Sequence, residues 1–200
     1  MKHSSTPSTW AQRALITGLV ASSLTACKKD KEETPTPTPP PVNEEELITT
    51  LILTFTDTAA NPDVSYELRY TDLDGPGGND PVEEGAPLPA SRDLLLNVRV
   101  LNESESPAEE ITDEVRAEDE DHQFFFQATG GLVIVYDDVD GNGNPVGLSN
   151  RATTPASGSG TIRTTLRHLP NKSAAGVASG DITNAGGETD IEVTLNFNIQ

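Results

Sequence analysis

From Leu47 to the C-terminus the dominant rhythm of this chain is two. In "DIEVTLNFNI" the positions Ile191, Val193, Leu195, Phe197 and Ile199 alternate with Glu192, Thr194, Asn196 and Asn198. In "VSYELRY" Val64, Tyr66, Leu68 and Tyr70 alternate with Ser65, Glu67 and Arg69. Side chains on a strand point alternately to its two faces, so such runs are strands with one buried and one wet face. The same reading gives strands at 47–56, 94–101, 122–128, 131–136 and 161–169, separated by Gly, Pro, Asn and Asp clusters. "TGG" between 128 and 131 reads as the connection of a hairpin. The expectation is an all-β fold, an antiparallel immunoglobulin-like β-sandwich of about seven strands spanning 47–200.

One segment departs from that rhythm. "SPAEEITDEV" places Ser106, Pro107 and Glu109 where a helix N-cap, first turn and capping box would sit, with Ile111 and Val115 four apart on one face. A short helix near 107–117 is predicted. The chain also repeats: "YTDLDGPGGN" from Tyr70 and "YDDVDGNGN" from Tyr136 share Y-x-D-x-D-G-x-G at an offset of 66 residues. Each pseudo-repeat unit reads as strand, strand, Asp-rich loop, strand and long return.

The first 46 residues follow other rules. Lys2, His3 and Arg13 precede an apolar run of eleven residues, Ala14 to Leu24. That is too short for a spanning helix, which needs about 20 apolar residues, and is typical of an export signal. The run ends in "LTAC", Leu24 to Cys27, which resembles the lipobox of bacterial lipoproteins. The resemblance implies cleavage after residue 26 and acylation of Cys27, the sole cysteine. The other reading is an ordinary secretory signal with an incidental cysteine. "KKDKEETPTPTPPPVNEEE" follows, and alternating Thr-Pro favours an extended polyproline stalk over 27–46. Its charged start resembles the export tag of Bacteroidota surface lipoproteins, though its lysines leave both membrane faces open. The implied place is the cell envelope, anchored in the outer membrane through lipid at Cys27.

Charge narrows the partners. The chain carries 13 basic and 32 acidic residues, net −19; losing residues 1–26 removes Lys2 and Arg13 and makes it −21. Such a surface repels nucleic acid and anionic headgroups. With one cysteine there is no disulfide framework.

Candidate chemistry centres on the two Asp-rich loops. Asp138, Asp140, Asn142 and Gly143 fall at positions 1, 3, 5 and 6 of an EF-type loop, and Asn144 would offer its carbonyl at 7. Position 12, usually Glu, is Ser149. In the other loop Asp72 and Asp74 fit positions 1 and 3 and Gly77 fits 6, Pro76 has no side-chain oxygen for 5, and Asn79 and Asp80 could compensate. Calcium is thus one reading of both loops, and the Asp-rich turn of a hairpin is the other. His122 and His168 read as cross-strand histidines before metal ligands or catalysts. No H-E-x-x-H, G-x-S-x-G or phosphate-cradling loop appears. "DTA", Asp57 to Ala59, resembles the O-glycosylation acceptor of Bacteroidota envelope proteins, which would modify Thr58.

"NEEELITTL", "DLDG", "DGNPVGL", "HQFFFQ", "RHLPNKS" and "GDITNAGGETDIEV" together resemble a family of small Bacteroidota lipoproteins labelled "type 1 periplasmic binding fold superfamily". That label implies two α/β lobes and a solute-binding protein feeding a transporter. The antiparallel-style alternation implies instead a sandwich acting as a non-enzymatic binding or structural module, with a glycan, a peptide or an envelope protein as ligand. A hydrolase using a carboxylate pair is the remaining alternative, since 32 acids make close pairs inevitable.

Overall fold

The computed structural model describes residues 47–75 and 77–200. The signal segment, the stalk and Cys27 lie outside them. The described chain is an all-β sandwich of two antiparallel sheets with one short helix. Its elements are β1 (Thr50–Asp57), β2 (Val64–Thr71), β3 (Val82–Gly85), β4 (Asp93–Leu101), α1 (Ile111–Ala117), β5 (His122–Ala128), β6 (Val133–Tyr136), β7 (Ser149–Thr153), β8 (Gly158–His168) and β9 (Glu188–Ile199). The six-stranded sheet runs β3-β2-β1-β4-β7-β6 and the three-stranded sheet β5-β8-β9.

Seven of these strands fall where the alternation places them. The two additions are β3, "VEEG", and β7, "SNRAT", which are short and mostly polar. β3 is exposed along its whole length as a sheet edge, so it has no apolar face to announce it.

The two faces meet in one core. Leu51, Leu53, Phe55 and Leu96 from the larger sheet pack with Phe124, Ile162, Leu166 and Leu195 from the smaller, all essentially inaccessible. Each such side chain contributes about 1.5–3 kcal/mol relative to exposure. The triplet Phe124–Phe126 divides by parity. Phe124 joins this core, while Phe125 points the other way into a satellite cluster with Val177 and Ala185. The 170–187 segment, with single 3-10 turns at Val177–Ser179 and Ile182–Asn184, thereby covers the outer face of the small sheet.

Three local expectations are corrected. The segments 122–128 and 131–136 do not form a hairpin. β5 pairs with β8 from His122↔His168 to Ala128↔Ile162, and β6 pairs with β7, so the turn after Ala128 carries the chain between sheets. The pseudo-repeat is therefore kept only in part: β1 pairs β4 as β5 pairs β8, and β2 pairs β3 as β6 pairs β7, but the second unit is split across both sheets. Finally, α1 starts at Ile111 with Glu110 at its cap, and Ser106 does not cap it. Glu109 lies ahead of the cap, where it exchanges two backbone hydrogen bonds with Asn102 (3.1 and 3.0 Å), so it does not occupy the third helical position a capping box needs. Ile111 and Val115 are nevertheless both buried against the core.

Loops close both edges of the small sheet. Leu88 donates to the Asn198 carbonyl at 2.8 Å and accepts from Gln200 at 3.0 Å along β9, and Phe124 of β5 donates to the Val146 carbonyl at 2.7 Å. The six-stranded sheet ends on β3, with exposed Glu83 and Glu84, and on β6, with exposed Val133 and Val135.

Candidate functional site

The 137–148 loop follows β6 and folds back on β5 through Val146. Its two carboxylates are engaged from within. Asp138 accepts the Gly147 amide on Oδ1 (2.8 Å) and the Ser149 amide on Oδ2 (2.9 Å), so Ser149 meets Asp138 through its backbone. Asp140 Oδ1 accepts the amides of Asn142 and Asn144 (2.9 and 2.8 Å). The Asn144 carbonyl accepts the Asp140 amide at 2.7 Å. The Asn142 side chain is exposed.

A cation does reach this loop, and it belongs to the chain. Lys172 Nζ donates to Asp140 Oδ2 at 2.9 Å and to the Asp119 carbonyl at 2.5 Å. The two side chains are 5% and 1% exposed. Burial opposes the charged form of Asp140, but the Lys172 hydrogen bond, the Asn144 amide and the Lys172 charge together hold its carboxyl below the usual range. Lys172 was absent from the candidate residues. The available signal was its isolation, for it is the only lysine beyond residue 31.

The other Asp-rich loop is open. Asp72 Oδ1 accepts the Gly75 amide (2.9 Å), and Asp74 accepts the Asn79 amide (3.0 Å) and side chain (2.6 Å). These bonds to the exposed Asp74 hold its carboxyl low, the Asn79 amide first. Asp72, Asp74 and Asp80 line one cavity of about 250 Å³. The same loop residues Asp72, Leu73 and Asp74 also line a wider cleft of about 540 Å³. Its apolar lining is Leu47, Ile48, Tyr70, Leu73, Ile191 and Val193, and its acids are Asp72, Asp74, Asp190 and Glu192. Leu47 and Leu73 are more than half exposed there.

Asp190 leads to a third grouping. β8 and β9 pair Leu166↔Ile191 but Arg167↔Thr189, a register shift that places a bulge at Asp190. With Ile191 on the core side, strict alternation would put Asp190 in solvent; the bulge instead leaves its side chain only 7% exposed, beside His122. Asp190 Oδ2 lies 3.8 Å from His122 Nε2, and His122 Nδ1 lies 3.1 Å from the Glu118 carbonyl. His122 and His168, opposite each other across β5 and β8, stack at 4.8 Å between centroids with planes 17° apart. Among the described residues, Glu118, His122 and His168 form a group whose ligand atoms lie within 4.8 Å of one another, and neither Asp-rich loop supplies three carboxylates that close.

Thr58 is exposed in the turn after β1, where Asp57 accepts the Ala59 amide (3.0 Å) and pairs with Arg92 Nε (3.2 Å). Comparison with protein-family models, curated proteins and solved structures finds no match to this chain.

Proposed function

We propose that the chain is a lipid-anchored binding module of the cell envelope, held by acyl chains on Cys27, whose ligand lies in the cleft beside Leu47. The observation that carries this reading is the make-up of that cleft: apolar side chains, four carboxylates and no basic side chain in its lining. Such a surface suits a basic, partly apolar segment of another envelope protein, drawn in by charge and held by burial. Support over the two-lobed solute-binding alternative comes from the described strands forming a single pair of sheets with clefts open at the surface.

The test is an NMR titration of the full chain carrying Cys27→Ser with a Lys- and Leu-containing peptide. Shifts confined to Tyr70, Leu73 and Ile191, abolished by Leu73→Glu, support the reading. Shifts elsewhere, or an unchanged affinity in Leu73→Glu, refute it.

Calcium is the second reading, favoured at the 72–80 loop by the cavity that Asp72, Asp74 and Asp80 share. At the 138–144 loop, Lys172 takes the charge-neutralising role an ion would have. Calorimetry should then show weak binding that Asp74→Asn removes and Asp140→Asn leaves intact. No heat from calcium in the millimolar range would remove this reading.

A further inference from the structure

The geometry points to a binding site for a zinc-class divalent ion formed by Glu118, His122 and His168 at one end of the three-stranded sheet, with Asp190 beside His122 as a further ligand. It goes beyond the cleft and the calcium loops, sharing only Asp190 with the first.

Donor type is the first ground. Two imidazoles and two carboxylates suit zinc and its neighbours, whereas calcium takes oxygen alone. Orientation is the second. The Glu118 carbonyl at 3.1 Å fixes the His122 ring and accepts from Nδ1–H, leaving the Nε2 lone pair toward Asp190. A ligating histidine is ordinarily held this way, with its second ring nitrogen donating to a carbonyl or carboxylate.

Spacing is the third. The 3.8 Å between Nε2 and Asp190 Oδ2 is too long for a hydrogen bond. Tetrahedral zinc, at about 2.0–2.2 Å from each donor, separates two ligand atoms by about 3.4 Å. The His122–Asp190 pair is within a few tenths of an ångström of that spacing, and the donors of Glu118, His122 and His168, within 4.8 Å of one another, reach it by side-chain rotation. The fourth is the means of delivery: Asp190 reaches this point only because of the β8–β9 bulge. Bulges often re-aim a side chain next to a functional site.

Electrostatics and access agree. His122 follows the run Glu118, Asp119, Glu120, Asp121, which concentrates negative charge beside it, and Glu118 is exposed. His168 lies parallel to His122, so its ring must turn about its own side-chain torsions to bring a nitrogen onto the shared point. Two opposed histidines also stack without any ion, and the experiment separates these cases.

The full chain carrying Cys27→Ser is titrated with Co²⁺ and then with Zn²⁺. One Co²⁺ per chain, with the intense visible bands of a four-coordinate site, is expected, displaced by one Zn²⁺ and unaffected by millimolar calcium. His122→Gln should abolish the bands. Asp190→Asn, His168→Gln and Glu118→Gln should each weaken zinc binding at least about tenfold, while His3→Ala changes nothing. Circular dichroism identifies any variant that fails to fold, and the remaining ones decide. Less than one equivalent bound by the folded chain, or affinity unchanged in the folded site variants, overturns the proposal.

Discussion

Lys172 Nζ sits 2.9 Å from Asp140 Oδ2, with both side chains buried, and joins the 137–148 loop to the segment that covers the small sheet. Breaking one side of a buried pair leaves the other charge uncompensated, at about 3–5 kcal/mol. Lys172→Met should fall at the low end, about 3 kcal/mol, because the amides of Asn142 and Asn144 remain on Oδ1. Denaturant unfolding measures this directly. A loss below about 1 kcal/mol would mean that the pair is not what orders the loop.

The same pair has a pH signature. The folded pKa of Asp140 is depressed, so its contribution is fully present above the unfolded value of about 3.9 and is lost as pH falls through the lower folded value. The stability difference between parent and Lys172→Met should be flat from neutrality to about pH 5 and shrink below pH 4. Taking the difference cancels the self-repulsion that both proteins share.

Tyr136 ties the sheets together. Its hydroxyl donates to the Phe124 carbonyl at 2.7 Å and accepts from Gln123 Nε2 at 3.2 Å. Burial pushes its pKa up to about 12. The raised value means stability is intact below the unfolded pKa of about 10 and declines as pH rises toward 12. Near-ultraviolet titration should find one tyrosine that ionises only near pH 12, and Tyr136→Phe should remove that slope at a cost of about 1–2 kcal/mol.

Two glycines of the 137–148 loop separate strain from collision. Both Gly143 (φ +85°) and Gly147 (φ +89°) lie in the left-handed region, but an added Cβ meets nothing within 4 Å at Gly143. At Gly147 it comes to 2.9 Å from Phe124 Cβ and 3.1 Å from the Phe124 carbonyl oxygen. Gly143→Ala should cost about 1 kcal/mol of backbone strain, and Gly147→Ala more than twice that. Equal melting temperatures for the two would refute the packing described for β5.

Arg69 and Glu103, 2.5 Å apart, form a closer pair than Lys172 and Asp140, yet about a quarter of each side chain is exposed. Solvent screening reduces such a pair to about 1 kcal/mol or less. Arg69→Met should therefore shift the unfolding midpoint far less than Lys172→Met, and more weakly in high salt.

Much of the fold was legible because burial imposes a period. The core side of β9 is read directly from Val193, Leu195, Phe197 and Ile199, which are all buried. β3 escaped because an edge strand with two wet faces has no period to show. The partner of β5 was misassigned because sequence proximity favours a hairpin, while the seven-residue register with β8 is decided by which faces must meet.

The sites were harder to read for the same reason. Asp138 and Asp140 were visible as a spacing, but the nearest cation is a lysine 32 residues away from Asp140. Asp190 had the parity of a solvent residue, and only a one-residue slip in pairing turns it inward.

The unequal edges of the large sheet bear on crowding. A second copy could add to β6 through Val133 and Val135 about a two-fold axis, consuming the apolar edge of both chains. Each outer end would then present β3 with Glu83 and Glu84, which resists further pairing. Association by this route terminates at two chains, because the acidic β3 edge that each would then present resists the next addition.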